Sequence, residues 1–147
     1  MEDRYLFKAK RVDNGEWVTG QYVKGLDMYG KEVHLIFEPT TIFYSSSETD
    51  GWSEIDPSTI CQCAGLKDKN GKLICENDIV KFDVYYYENL ESSIISQIMW
   101  CNDLCALSLV VNDIGTRGTL GHLMDLNKEI EVIGNIFDNP ELLESEE

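Results

Sequence analysis

The sequence is poor in basic residues. Its 147 residues include 12 lysines and arginines against 27 aspartates and glutamates, so the formal net charge is −15. Residues 101–147 hold ten of the acids and only two bases, Arg117 and Lys128. A surface of this charge repels phosphate groups, so we do not expect direct binding of DNA or RNA through a broad basic face.

The sequence also lacks long apolar runs. No run approaches the roughly 18 apolar residues of a membrane-spanning helix. The N-terminal MEDRYLFKAK has no apolar segment of the kind found in signal peptides. We therefore expect a cytoplasmic protein without a membrane partner. The cysteine count is five, and an odd count without an export signal favours reduced thiols.

Recognisable catalytic signatures are missing as well. There is no G-x-S-x-G sequence, and the glycines of GTRGTLG, residues 115–121, lack the lysine of a phosphate-binding loop. His34 lies in the apolar run VHLIF and is expected to be a hydrogen-bonded core residue, whereas His122 is expected to be exposed. Asp78 and Asp83 fit turn and edge positions. We predict no catalytic residue and no cofactor.

The cysteines are weak candidates for a metal site. Cys61 and Cys63 would place two sulfurs on one face of a strand, and Cys75 with a histidine could complete a ligand set. The spacing differs from the C-x-x-C pairs of zinc sites, so small apolar core residues are the favoured interpretation. A metal-dependent or thiol-dependent enzyme remains an alternative hypothesis.

What the sequence does contain is the pattern of a mainly β protein. Its length fits a single domain over residues 1–147, with a frayed acidic tail at about 144–147. Alternating apolar segments between turn residues predict roughly eight to ten short strands. Asp56 and Pro57 predict a helix of one turn. Antiparallel strands of this length would form a barrel or a sandwich, with one or two short helices.

Two Asn-Gly pairs mark predicted hairpins in the first half of the chain. Asn14-Gly15 and Asn70-Gly71 are each expected to form a type I′ turn, which requires positive φ at both central residues. Gly20 lies in the strand predicted over residues 16–23. A glycine inside a strand suits a bulge or a close backbone approach.

The second half of the chain is predicted to alternate strands with short helices. A polar loop is expected after Tyr87, a short helix over residues 119–127, and a C-terminal helix capped by Asn139. The predicted strands cover residues 79–87, 94–100, 105–111 and 130–137.

Three consecutive tyrosines, residues 85–87, end one of these strands. Because side chains alternate across a strand, at least one ring must face away from the core. Tyrosine is favoured at protein interfaces, so Tyr85 and Tyr87 are the predicted partner-binding residues.

Four segments carry a recognisable pattern. They are RYLFKAKRVDNGEWVTGQYV near the N-terminus, IDPSTICQCAGLKDKNGK at residues 55–72, ENDIV at 76–80 and EVIGNIFDNPELL at 131–143. This pattern resembles the YopX family of small phage and prophage proteins of Gram-positive bacteria. Asn77 replaces a glycine of that pattern. The resemblance implies a mostly β fold and a phage origin, and it implies no particular activity.

Acidity, aromatic content and the scarcity of catalytic residues together favour a protein-binding role. We expect a phage or prophage accessory protein that binds an unknown protein partner, either alone or as a homo-oligomer. The alternative hypothesis is a DNA mimic, in which carboxylates of residues 101–147 line one face and occupy a DNA-binding protein.

Overall fold

A computed structural model of the chain describes residues 5–38, 51–86, 89–110, 117–120 and 129–144. Its strands pair in antiparallel fashion, with short 3₁₀ helices at Pro57–Thr59 and Pro140–Leu143. The prediction of a mainly β antiparallel fold with few helices is therefore confirmed. Of the two predicted arrangements, a closed barrel is not formed within the described ranges, where the sheets are open.

The chain divides into two compact units, Met1–Gly65 and Leu66–Glu147. The single domain over residues 1–147 stays a prediction. The strands that begin in the N-terminal unit are β1 (Phe7–Lys10), β2 (Trp17–Leu26), β3 (Glu32–Phe37), β4 (Trp52–Glu54) and β5 (Cys61–Lys67).

The strands of the N-terminal unit belong to a six-stranded sheet, in which they follow the order β4-β3-β2-β1-β5. Its core is formed by Ala9, Val18, Ile36 and Ile55, all buried, with Phe7, Tyr22 and Ile60 packed against them. Alternation places five of these side chains on one face of β1, β2 and β3, namely Phe7, Ala9, Val18, Tyr22 and Ile36.

Asp56 begins the 3₁₀ helix Pro57–Thr59 as a sequence-predicted N-cap. Its side chain accepts a hydrogen bond from the Ser58 backbone N–H at 3.0 Å, and Pro57 occupies the first helical turn. The Thr59 hydroxyl in turn accepts from the Lys10 backbone N–H at 2.9 Å, which ties this helix to β1.

Gly20 in β2 lies where two backbones approach each other closely, as predicted. A Cβ atom added at Gly20 would lie 2.7 Å from the Phe37 carbonyl carbon and 3.0 Å from Glu38 Cα. These distances are far shorter than van der Waals contact, so only glycine fits between β2 and the end of β3.

Both Asn-Gly pairs lie in hairpin loops, but the predicted turn type is wrong. Gly15 and Gly71 have positive φ, at 72° and 83°, whereas neither Asn14 nor Asn70 does. The Gly15 N–H donates to the Arg11 carbonyl at 3.0 Å, which closes a loop longer than the two residues of a type I′ turn.

The C-terminal unit contains two three-stranded antiparallel sheets, in the orders β12-β7-β8 and β11-β10-β9. These six strands are β7 (Asp78–Tyr86), β8 (Asn89–Gln97), β9 (Met99–Cys101), β10 (Ala106–Val110), β11 (Arg117–Thr119) and β12 (Glu131–Asn135), and β6 (Leu73–Cys75) belongs to neither sheet. Val80 and Phe82, which share one face of β7, are buried.

The predictions for residues 88–100 were partly wrong. The segment expected to be a polar loop after Tyr87 is the start of β8 from Asn89, and the strand predicted over residues 94–100 is split at Ile98 into β8 and β9. The Ile98 N–H donates to the Asp78 carbonyl, and the Ile98 carbonyl accepts from the Asn77 N–H, both at 2.8 Å. With its backbone groups bonded in this way, Ile98 belongs neither to the β7–β8 ladder nor to the β9–β10 ladder.

The strand predicted over residues 130–137 also ends early, at Asn135. The Asn135 side-chain oxygen accepts from the backbone N–H groups of Phe137 and Asp138, each at 2.9 Å, which turns the chain. The side chain of Asn139 does not cap the helix Pro140–Leu143 as predicted. Its oxygen instead accepts from the Asn135 N–H at 3.3 Å, so it closes the same turn.

Some predictions fall outside the described residues. These are most of the helix over 119–127 and nearly all of the tail at 144–147. Within the ranges that the structure describes, no helix combines the length and apolar character needed to cross a membrane.

Candidate interaction site

Two hairpin loops of the chain share the sequence Asp-x-x-Gly-Lys. One is residues 27–31, DMYGK, between β2 and β3, and the other is residues 68–72, DKNGK, between β5 and β6. The structure gives them the same hydrogen bonds.

In residues 27–31 the Asp27 side chain organises the loop. One carboxylate oxygen accepts from the backbone N–H groups of Tyr29 and Lys31, both at 2.9 Å. The backbone closes with Asp27 N–H to the Lys31 carbonyl at 2.9 Å and Gly30 N–H to the Asp27 carbonyl at 3.0 Å. Gly30 has a φ of 80°, the left-handed conformation that glycine adopts without strain. The loop is therefore fixed by Asp27 and Gly30.

In residues 68–72 Asp68 repeats these contacts and adds one. One oxygen accepts from the N–H groups of Asn70 and Lys72, both at 2.9 Å. The second oxygen accepts from the Val132 N–H of β12 at 2.9 Å. Burial alone would raise the pKa of Asp68, but the three backbone donors and the charge of Lys72 outweigh it and lower the pKa. Asp68 is a structural carboxylate that joins the loop to β12.

The two loops differ in the side chains at their tips. Residues 69 and 70 are Lys and Asn, and the Lys69 ammonium lies 3.8 Å from a Glu131 oxygen. The corresponding residues of the other loop, Met28 and Tyr29, are each 88% exposed, and neighbouring Leu26 is 71% exposed. We call Leu26, Met28 and Tyr29 the apolar tip. Because DKNGK builds the same loop, the loop does not require Met28 and Tyr29.

The hairpin that carries the apolar tip extends beyond its neighbours. β1 pairs with the start of β2, from Trp17 to Gly20. The remainder of β2 pairs with β3, from Gln21 opposite Phe37 to Leu26 opposite Glu32. The apolar tip therefore lies at the far end of a two-stranded ladder, away from the core residues of the unit.

A polar network crosses this hairpin at its base. The Tyr22 hydroxyl lies 2.5 Å from His34 Nδ1, and His34 Nε2 lies 2.9 Å from a Glu32 oxygen. In the tautomer that satisfies both contacts, Tyr22 donates to Nδ1 and Nε2–H donates to Glu32. The Lys24 ammonium lies 3.3 Å from the other Glu32 oxygen. The hydrogen bonds from His34 and then Lys24 lower the pKa of Glu32.

The same three groups, a hydroxyl, an imidazole and a carboxylate, form the nucleophile–base arrangement of some enzymes. Here the Tyr22 ring packs against Phe7, with ring centroids 5.7 Å apart, and the imidazole stacks on Tyr22 at 5.9 Å. His34 is mostly buried and hydrogen-bonded, as predicted. The network joins β2 to β3 and supports the hairpin below the apolar tip.

The structure corrects the expectation of five reduced thiols. Cys63 and Cys75 are disulfide-bonded, whereas Cys61, Cys101 and Cys105 are free. Cys105 is exposed, and the other four are buried, in line with small core residues. Only one of the three candidate metal ligands Cys61, Cys63 and Cys75 is thus a free thiol, namely Cys61. Among the described residues, no three His, Cys, Asp or Glu side chains could hold a metal ion together.

The two aspartates for which turn and edge positions were predicted each accept a hydrogen bond from a nearby group of the protein. Asp78 is fully buried, and its oxygen accepts from the Cys75 backbone N–H at 2.8 Å. Asp83 accepts from the Ser93 hydroxyl of β8 at 2.6 Å. Asp78 follows the turn at Asn77, in line with its predicted turn position, whereas Asp83 lies in β7, the middle strand of the sheet β12-β7-β8, and not in an edge strand as predicted.

The predicted partner-binding tyrosines are only partly described. The backbone of Tyr85 belongs to β7, opposite Leu90 of β8, next to a register shift. The Tyr85 side chain and the whole of Tyr87 lie outside the described residues, as does His122. Their role in partner binding stays a prediction.

A second exposed apolar pair lies in the C-terminal unit. Trp100 of β9 is 50% exposed, and Leu104 of the β9–β10 loop is 44% exposed. The Trp100 ring nitrogen donates to the Asn102 side-chain oxygen at 2.8 Å, which fixes the ring over the loop. Trp100 lies in the strand predicted over residues 94–100, and the exposure of its side chain was not predicted.

Comparison with known proteins identifies the fold. A model of the YopX protein family matches residues 6–144. The crystal structure of the YopX protein from Bacillus subtilis is similar, with a TM-score of 0.58 and 18% sequence identity over 98% of this chain and 99% of that chain. At this identity the likeness concerns the fold alone. No curated protein matches the chain.

Proposed function

Because the chain belongs to the YopX family, we propose that it is a phage or prophage accessory protein that acts by binding another protein. The binding surface is acidic and aromatic. The proposed function involves no catalysed reaction. The residues of the chain contribute charge and apolar contacts to binding, and they form the scaffold that holds the binding surface.

The observation that carries the proposal is the exposure of large apolar side chains on structured hairpins. The apolar tip lies on a hairpin whose loop backbone is fixed by hydrogen bonds to Asp27, and Trp100 lies in β9 with its ring nitrogen bonded to the Asn102 side chain. Isolated exposed apolar residues are common on protein surfaces, but grouped ones mark interaction sites. Aromatic and methionine side chains are the types enriched at such sites.

The charge of the chain limits the kind of partner. A net charge of −15 disfavours nucleic acid and anionic surfaces, and it speeds association with a positively charged protein. Reduced binding at high salt is therefore part of the proposal.

The proposal is tested by cross-linking mass spectrometry of the purified chain in a Bacillus subtilis lysate, at low and at high salt. We expect at least one protein to be cross-linked reproducibly, with a lower yield at high salt. A maltose-binding protein of similar net negative charge serves as the control for charge alone. Failure to enrich any protein over this control, together with measured turnover of a substrate, would overturn the proposal.

A further inference from the structure

Two asparagines of the chain are each followed by glycine, in the pairs Asn14-Gly15 and Asn70-Gly71. In such a pair the glycine nitrogen can attack the side-chain carbonyl carbon of the asparagine, because glycine has no Cβ that obstructs the approach. A C–N bond forms and ammonia leaves, which gives a five-membered succinimide ring. Water then opens the ring to aspartate or isoaspartate, so the net change exchanges ammonia for water. Both pairs are exposed and accessible to water.

The attacking nitrogens are restrained to the same degree at the two sites. The Gly15 N–H donates to the Arg11 carbonyl, and the Gly71 N–H donates to the Asp68 carbonyl, each at 3.0 Å. Both glycines have positive φ, at 72° and 83°. One hydrogen bond has to open at either site before the ring can close, so this step does not distinguish the two sites.

The side-chain carbonyl of Asn14 is prepared for attack. Its oxygen accepts from the Glu16 backbone N–H at 2.9 Å, which holds the side-chain amide beside the intervening Gly15 peptide. Its nitrogen donates to a Glu16 side-chain oxygen at 3.4 Å. Attack by the Gly15 nitrogen places negative charge on the Asn14 oxygen, and a positioned N–H donor stabilises charge that develops in this way.

The side chain of Asn70 lacks this arrangement, because the Asp68 carboxylate replaces it. The N–H two residues after the asparagine, that of Lys72, donates to Asp68 at 2.9 Å and is not available to Asn70. The Asn70 side-chain nitrogen donates to a Glu131 oxygen of β12 at 3.4 Å, which holds the amide toward that strand.

The two loops also differ in their bonds to other strands. The Lys69 N–H donates to the Ile130 carbonyl, and Asp68 accepts from the Val132 N–H, both at 2.9 Å. Among the described residues, residues 13–15 hydrogen-bond only within their own loop. Ring closure requires the peptide after the asparagine to rotate, and the loop with fewer outside bonds opposes this rotation less.

We propose that Asn14 is a modification site, which the folded chain converts to aspartate and isoaspartate without an enzyme, and that the fold protects Asn70. The product carries a carboxylate beside the Glu16 carboxylate, where the amide donated a hydrogen bond. Isoaspartate also adds a methylene group to the backbone of the loop between β1 and β2. The modification requires water alone, so it does not depend on the proposed function.

Incubation in mildly alkaline buffer made with heavy-oxygen water tests the proposal, with the chain folded in one sample and unfolded in guanidinium chloride in another. Ring opening adds a heavy oxygen to the modified residue, and digestion in ordinary water leaves any later deamidation unlabelled. The chymotryptic peptides of residues 8–17 and 67–73 each contain one asparagine and no glutamine, so each reports on a single site by mass spectrometry. Dividing the folded rate by the unfolded rate at each site removes the effect of the flanking sequence.

This ratio should be at least about fivefold larger for Asn14 than for Asn70. The amide of an Asn14→Gln variant would need a six-membered ring, so the variant should acquire almost no label in the peptide of residues 8–17. Equal ratios at the two sites, a larger ratio for Asn70, or the absence of label at Asn14 in the folded chain would overturn the proposal. Undiminished label in the same peptide of the Asn14→Gln variant would also overturn it, since the label would then come from another residue.

Discussion

Substitution of Gly20 by alanine tests the packing of β2 against β3 most severely. The new Cβ would lie 2.7 Å from the Phe37 carbonyl carbon and 3.0 Å from Glu38 Cα. These are backbone atoms, so no side chain can rotate away, and the end of β3 must move. Overpacking of this kind costs about 1–3 kcal/mol, and the upper end applies where backbone has to shift.

Gly25 of the same strand provides the control. A Cβ added there meets no atom within 4 Å, and its φ is not positive. Gly25→Ala should therefore gain about 0.4–1 kcal/mol from the reduced entropy of the unfolded chain. Gly20→Ala has the same gain and the added clash, so the two variants should differ by about 3 kcal/mol.

Urea denaturation followed by tryptophan fluorescence measures this difference. With a slope of about 1–3 kcal/mol/M, the Gly20→Ala midpoint should lie about 1–3 M below that of Gly25→Ala. Equal midpoints would refute the close approach of the two backbones at Gly20.

Three further results follow from the aspartate loops and the cysteines. Asp68→Asn should lower the free energy of unfolding, measured by urea denaturation, by about 1–3 kcal/mol, because an amide N–H would face the Val132 N–H. Asp27→Asn should leave the free energy of unfolding nearly unchanged, since a single oxygen makes both of the Asp27 side-chain bonds in the loop. Because the pKa of Asp68 is lowered in the folded state, the wild type should exceed Asp68→Asn in free energy of unfolding by the whole difference at pH 7, and this difference should shrink as the pH falls below about 4. A difference that does not change with pH would contradict the charge-assisted hydrogen bonds of Asp68. Thiol titration in denaturant should find three thiols per chain before reduction and five after it, and five at the outset would disprove the disulfide state of Cys63 and Cys75.

The parts of the fold that were predictable are those specified by local chemistry. Gly20, the Asp56 cap and the positive φ of Asn77, at 70°, each follow from the conformational range of one residue type. The positions of the hairpins followed from Gly15 and Gly71 for the same reason.

The error at residues 94–100 came from contacts between segments distant in the sequence. Ile98 reads as a strand residue, but its backbone bonds to Asn77 and Asp78 interrupt the strand. The turn type at residues 68–72 was missed for a local reason, because the Asp68 side chain accepts from the Asn70 and Lys72 N–H groups and holds a loop longer than two residues. Sequence pattern does not report bonds that only the fold brings together.

The candidate site was missed for a different reason. Tyr85 and Tyr87 were predicted from strand alternation through three consecutive tyrosines, whereas the apolar tip is indicated by comparison of the two Asp-x-x-Gly-Lys loops. That comparison was available in the sequence, since DMYGK and DKNGK differ only at their two central residues. Exposure of Met28 and Tyr29 then required the structure.

The central claim is that Met28 and Tyr29 serve binding and contribute nothing to folding. The most direct test is the unfolding free energy of the Met28→Lys/Tyr29→Asn variant, measured by urea denaturation beside the wild type. The expected result is a value within about 0.5 kcal/mol of wild type, as for exposed surface substitutions. A loss of about 2 kcal/mol or more would show that these side chains pack against the protein itself, and would contradict the claim.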